Sequence, residues 1–180
     1  HLDTRNNKIF GQAAEQLATA VLESKSMLTF GEVPMQELRA NELTELNLNN
    51  KSIGTTEAHV LSSLVAASGS LADLALNHTR IGNEGAKAIA AAVAASGSLA
   101  KLDLVDCGIG DEGAKALAAG IASSGSMATL YLGLNTFGTA AKQSLRDAVR
   151  GRQGFHLGDS GPDKVLVNGV WRLVEMCCGN

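Results

Sequence analysis

Residues 71–98 read LADLALNHTRIGNEGAKAIAAAVAASGS and residues 99–126 read LAKLDLVDCGIGDEGAKALAAGIASSGS, with 17 of the 28 aligned positions identical. This fixed period constrains the fold more than any single motif. Each unit leaves an apolar side uncovered, so units must stack and bury one another. Moved 28 residues towards the N terminus, the frame falls on LTELNLNNKSIG, with Leu43, Leu46, Leu48 and Ile53 in register and Ala58, Leu61 and Val65 following. Moved 28 residues the other way, it falls on MATLYLGLNTFG, with Met127, Leu130, Leu132 and Phe137 in register. Regular units therefore start at residues 43, 71, 99 and 127.

Inside a unit the hydrophobic period changes once. Leu74 and Leu76 alternate as on a strand, with Ala75 and Asn77 on its opposite face. From Ala86 the period is helical: Ala86, Ile89, Ala90 and Val93 share one face. Gly82 and Gly85 bracket the turn and helix start, where positive φ or close approach is easiest for glycine. Gly97, within Ser96-Gly97-Ser98, is expected as a left-handed helix cap.

The L-x-x-L-x-L strand, the Ile-Gly turn and the helix resemble leucine-rich repeats of the ribonuclease-inhibitor-like class. The resemblance implies an α/β leucine-rich-repeat solenoid, a horseshoe with parallel strands on its concave face and helices on its convex face. In that family the position three after the last strand leucine is usually Asn, Cys or Thr, hydrogen-bonding turn backbone. Thr79, Cys107 and Asn135 fit, and Lys51 departs. Leu2–Ile9 reads as an imperfect first strand, with Ala14, Leu17, Ala18 and Val21 on its helix. Met27–Pro34 reads as another strand, and Pro34–Asn41 as a short helical turn with Pro34 near its start. That short unit resembles those in repeat proteins of unicellular algae and related protists.

Towards the C terminus Ala141, Leu145, Ala148 and Val149 form the last helical face, and Phe155–Leu157 the last strand of the horseshoe. After the breaker cluster Gly158–Pro162, Asn168-Gly169 between β-rich runs signals a hairpin, with Trp171 expected to cover the solenoid's open end. The expected organisation is a solenoid over 1–157, irregular before 43, and a C-terminal β-hairpin cap over 158–180.

With six aromatics among 180 residues, the core must be built from Leu, Ile, Val and Ala, which suits thin, closely packed layers. A net charge of −3 lacks the basic footprint that nucleic acid or an anionic membrane would need. No apolar run reaches the roughly 18 residues of a membrane span. The start lacks the features of a secretory signal; without an initiator Met and beginning within a repeat, the chain reads either as a processed one or as part of something longer, and which of these stays open. Cys107, Cys177 and Cys178 are too few and badly placed for a disulfide framework, so a reducing, intracellular location is favoured while the organelle stays open.

On the expected concave face the middle strand column runs Asp3, Thr29, Asn47, Ala75, Asp103, Tyr131 and His156. Beside it lie Asn49, Asn77, Val105 and Gly133, then Asn50, His78, Asp106 and Leu134. The candidate protein-binding residues are Asn47, Asn49, Asn77, His78, Asp103, Val105, Asp106, Tyr131, Leu134 and His156. Tyr131, Val105 and Leu134 make an apolar spot with acidic neighbours, the composition of a binding anchor; single exposed apolar residues are also ordinary on any surface.

His1, His59, His78 and His156 lack metal-ligand spacing, and a His78–Asp106 pair supplies two ligands where zinc needs three or four. No nucleophile, base and orienting acid can be placed, nor a phosphate loop. The reading is a non-enzymatic protein–protein interaction module without cofactor or metal, binding a protein of open identity. An alternative is a structural subunit of a large assembly, packed through a small, apolar helix face of Ala88, Ala91, Ala92, Ala95, Ala116, Ala119 and Gly120. A remoter one is regulation of a small GTPase, because the activator of the nuclear-transport GTPase resembles this repeat class; Arg5 would lie in a turn.

Overall fold

The computed structural model describes Ile9, residues 11–158, and the backbones of Lys164–Val167 and Val170–Leu173. The elements run α1 (Gln12–Glu23), β1 (Thr29–Phe30), β2 (Val33–Pro34), α2 (Met35–Arg39), β3 (Glu45–Asn47), α3 (Thr55–Ala67), β4 (Asp73–Ala75) and α4 (Gly82–Ala95). They continue with β5 (Lys101–Asp103), α5 (Asp111–Ser123), β6 (Thr129–Tyr131), α6 (Thr139–Ala148), β7 (His156–Gly158), β8 (Lys164–Val167) and β9 (Val170–Leu173). Among the described residues β3 to β9 form one sheet in sequence order, with β3 to β7 parallel. β8 and β9 join it antiparallel. The expected Asn168-Gly169 turn and the Trp171 side chain lie outside the described residues, as does Leu2–Lys8.

Register puts Leu46, Leu74, Leu102, Leu130 and Leu157 side by side. All five are buried against the helix layer, together with Leu48, Leu76, Leu104 and Leu132. Burying a leucine side chain contributes about 1.5–3 kcal/mol, so this ladder holds strands only three residues long. The helices pack in sequence order, each against the next from α3 to α6.

Small residues set the spacing of that helix layer. A Cβ on Gly85 would stand 2.6 Å from Ile81 Cβ and 3.0 Å from Ala58 Cβ; one on Gly113 would stand 3.0 Å from Ala86 Cβ. Gly120 faces the carbonyl of Ala90 so closely that it has no room for a Cβ. The close-approach reading of Gly85 therefore holds. The smooth exposed face expected around Ala92 and Gly120 does not, because both residues are buried. Ala91, Ala94, Ala95, Ala119 and Ala122 are the exposed alanines of α4 and α5.

Serine, rather than a left-handed glycine, ends α1, α3, α4 and α5. Ser96 is extended at φ −73° and ψ 129°, and Gly97 is not among the glycines with positive φ. The Ser96 hydroxyl accepts the N–H of Ser98 at 3.3 Å and of Leu99 at 3.1 Å. Ser98 in turn donates to the Leu71 carbonyl at the start of its own unit at 2.8 Å and to the Ser68 carbonyl of the preceding unit at 3.1 Å. Ser70 to Leu43 and Ser126 to Leu99 repeat the bond within a unit, both at 2.8 Å, and Ser126 to Ser96 repeats the bond between units at 3.1 Å. The Ser-Gly-Ser step thus stops a helix and ties its unit to the previous one.

The irregular start departs from expectation in one respect. Met27–Pro34 does not add a strand to the main sheet: β1 and β2 pair with each other, Phe30 opposite Val33. Gly31, at φ 55°, reverses the chain at once and lies over the buried Glu57, whose Cγ would be 3.3 Å from a Cβ there. The reversal carries Phe30, Val33 and Met35 into the core and removes Thr29 from the expected strand column. Pro34 precedes the short helix α2, as expected.

An arginine ties each end of the array. Arg39 donates to the carbonyls of Leu22, Ser24 and Met27 at 3.0–3.2 Å, placing a cation at the C-terminal end of α1. Arg152 donates to Ile121 and Met127, both at 2.7 Å, with its guanidinium 5.0 Å from the Phe155 ring centre.

Gly120→Ala is expected to lower the unfolding free energy by about 1–3 kcal/mol in a urea titration, because the close helix approach must open. Gly125→Ala, where a Cβ would meet nothing, should change it by less than about 0.5 kcal/mol.

Candidate protein-binding face

Because the strand leucines point towards the helices, the residues flanking them face the sheet's open side. One column runs Glu45, Asp73, Lys101, Thr129 and His156; the next runs Asn47, Ala75, Asp103, Tyr131 and Gly158. His156 is therefore out of its expected place. It pairs with Thr129 rather than standing in line with Tyr131. Phe155 turns into the core before the strand starts and Leu157 takes the ladder position, so Gly158 lies beside Tyr131.

Past the strands the backbone stays in step. Asn50 N–H donates to the Asn77 carbonyl, His78 to Val105 and Asp106 to Gly133, at 2.8–2.9 Å. The residues that then bend the chain are Asn50, His78, Asp106 and Leu134, at φ 58°, 56°, 53° and 58°. Asn, Asp and His are enriched in this left-handed region among non-glycine residues. Leucine is not, yet Leu134 holds the same conformation with 68% of its surface exposed.

Much of the asparagine content is occupied in holding these turns. Asn47 Oδ1 accepts the N–H of Asn49 and Asn49 Oδ1 that of Asn77, both at 3.0 Å. Asn77 Nδ2 donates to Asp103 Oδ2 at 3.1 Å, and Asp103 Oδ1 accepts the N–H of Val105 at 3.1 Å. The result is a polar rail crossing three units, with Asp103 at its end. One turn further, His78 Nδ1 lies 3.0 Å from Asp106 Oδ2. Val105 and Tyr131 are half-buried, with Tyr131 the cross-strand neighbour of Asp103.

Two charges of the first column, Asp73 and Lys101, pair with each other. Lys101 Nζ is 2.7 Å from Asp73 Oδ2, and this hydrogen bond pushes the lysine's pKa up. On the helix side Lys87 bridges Glu84 and Glu112 at 2.8 Å each, which raises the lysine and lowers Glu112. Lys51, the departure from the Asn/Cys/Thr pattern, lies 3.6 Å from Glu32 in the β1–β2 turn.

The three fitting positions do what the resemblance implied. Thr79 Oγ1 and Cys107 Sγ both donate to the Leu76 carbonyl, at 2.7 and 3.1 Å. Asn135 Nδ2 donates to Leu104, Leu132 and Gly133, while its Oδ1 accepts from Cys107 and Ile109. Sequence reasoning missed a second set of ties: Asn83 Oδ1 accepts the N–H groups of Gly110 and Gly113, and Asp111 Oδ1 that of Gly138. The signal was present as Asn or Asp after the Ile-Gly pair, but only the stacked structure shows that it caps the next unit's helix. Among the described residues no group of three or more His, Cys, Asp or Glu could hold a metal ion, and no helix is long and apolar enough to cross a membrane. Arg5 lies outside the described residues.

A family model described as "Leucine Rich repeat" matches residues 70–90 and 98–118. No curated protein sequence matches the chain. Solved structures similar to it include leiomodin-1 actin-binding site 2, at 18% identity and TM-score 0.65, covering 73% of this chain and 79% of that one. The tropomodulin C-terminal domain of Caenorhabditis elegans is similar at 19% identity and TM-score 0.65, covering 73% of this chain and 83% of that one. At such identity the likeness is one of fold.

Burial pushes the Cys107 thiol's pKa above its ordinary 9.0. Between the unfolded and the higher folded value the unfolded chain has released a proton that the folded chain keeps, so stability falls as pH rises through that window. Urea titrations at about pH 7 and pH 10 should show the loss, and Cys107→Thr, which copies Thr79, should reduce it.

Proposed function

We propose that this leucine-rich-repeat protein is a non-catalytic interaction module that binds a protein partner on the open face of its sheet. The observation that carries the reading is Leu134. A leucine in the left-handed region costs about 1–2 kcal/mol, and the equivalent residues Asn50, His78 and Asp106 are of types that tolerate it. Holding a strained and exposed leucine beside the Tyr131 strand disfavours the free chain and supports a contact that covers it. The 28-residue strand–helix unit supports the ribonuclease-inhibitor-like class and horseshoe curvature, with 1–157 as the solenoid and β8–β9 as its terminal cap.

A second reading, a fixed subunit of a larger assembly, draws on the exposed Ala91, Ala95 and Ala119 of the helix side. A photo-crosslinking residue at Tyr131 or at Ala119 distinguishes the two in native extract. Adducts from position 131 that untagged protein competes away, with none from 119, are expected. Adducts confined to 119 would replace the module by the subunit. Leu134→Asn should raise the unfolding free energy by about 1 kcal/mol while abolishing the adducts from 131. Loss of stability would remove the argument from strain.

A further inference from the structure

We infer that the open face takes a basic segment of its partner, an Arg or Lys side chain meeting Asp103 and Asp106 while adjacent apolar side chains cover Tyr131 and Leu134. The inference rests on the reading of this face as the binding surface and adds the chemistry of the occupant.

Charge complementarity is the first ground. Glu45, Asp73, Asp103 and Asp106 stand in the columns of this face, and Lys101 is the one Lys or Arg within β3 to β7. Its ammonium is 2.7 Å from Asp73, which leaves Asp103 and Asp106 without an ion pair to Lys or Arg among the described residues. A carboxylate-bearing or phosphate-bearing ligand would meet repulsion here.

Geometry is the second ground. The hydrogen bonds from Asn77 Nδ2 and Val105 N–H fix the Asp103 carboxylate before any partner arrives. Each of its oxygens keeps a further lone pair for a guanidinium or ammonium, and little ordering cost remains on this side. Tyr131 is its register partner on the next strand, about 4.8 Å away in the sheet. A cation on Asp103 would thus lie within reach of the ring's face. One turn on, Asp106 and Leu134 hold equivalent positions in neighbouring units, both left-handed and both exposed. Acid next to apolar occurs twice along the same unit boundary, so the fitting segment carries basic and apolar side chains together.

The test uses ¹⁵N-labelled full chain and two blocked synthetic peptides, one alternating Arg and Leu between glycines and one with Glu in place of Arg. The Arg peptide should shift the amides of Val105, Asp106 and Gly133 saturably. Its affinity should fall severalfold when sodium chloride rises from about 50 to about 300 mM, as exposed ion pairs are screened. Asp103→Asn and Asp106→Asn, each with a dispersed spectrum, should weaken it about tenfold, equivalent to about 1.4 kcal/mol; Glu15→Gln on α1 should not. Equal shifts from both peptides, or salt-independent ones, overturn the basic-segment inference and leave the face itself standing. Shifts confined to Ala91 and Ala119 amides overturn both, and no shift from either peptide at millimolar concentration overturns the inference.

Discussion

Each unit supplies hydrogen-bond partners to backbone groups of its neighbour, and the rest of the molecule depends on this. The Leu76 carbonyl accepts from Cys107 of the next unit, Leu104 from Asn135 and Ser68 from Ser98. The helix-start amides of Gly110 and Gly138 donate to Asn83 and Asp111 of the unit before. A buried amide or carbonyl left unpaired costs about 1–3 kcal/mol. A single unit taken from the stack would lose several such bonds together with its leucine contacts.

Those bonds also fix the spacing. With the turn and the helix start tied across each boundary, adjacent helices have room only for Gly85, Gly113 and Gly120 where they approach most closely. Alanine dominates the helices for the same reason. The rigidity passes to the open face, where the Asn47–Asn49–Asn77–Asp103 rail holds its side chains at the register that the leucine ladder sets. Side chains there are positioned by packing on the opposite side of the sheet, which lets the face vary without disturbing the core.

Leu134 shows that variation at its limit. Asn50, His78 and Asp106 combine a tolerable left-handed backbone with a polar side chain, so sequence and conformation agree. At the fourth unit they disagree, and such local conflict is where function is expected to sit in an otherwise consistent repeat. The surrounding hydrogen bonds impose the conformation whatever the residue: Asp106 N–H still finds the Gly133 carbonyl and Asn135 still closes the turn.

The sequence by itself determined the period, the order of strand and helix in each regular unit, the leucine ladder and the Thr79–Cys107–Asn135 turn positions. A period-2 run followed by a period-3.6 run, repeated four times, admits little else, and a buried turn polar group shows as a recurring Asn, Cys or Thr. Only the tertiary structure decided where the pattern changes. Met27–Pro34 has the composition of a strand, but the reversal at Gly31 depends on Phe30 and Val33 both reaching a core that other units build. His156 lost its place beside Tyr131 because Phe155 buries before the last strand begins, a packing outcome that alignment of leucines does not contain. The serine stops and the Asn83 and Asp111 caps read as helix punctuation within one unit, and their second partners lie in another. Left-handed φ at Leu134 is invisible in composition, since it comes from hydrogen bonds between units rather than from the residue that adopts it.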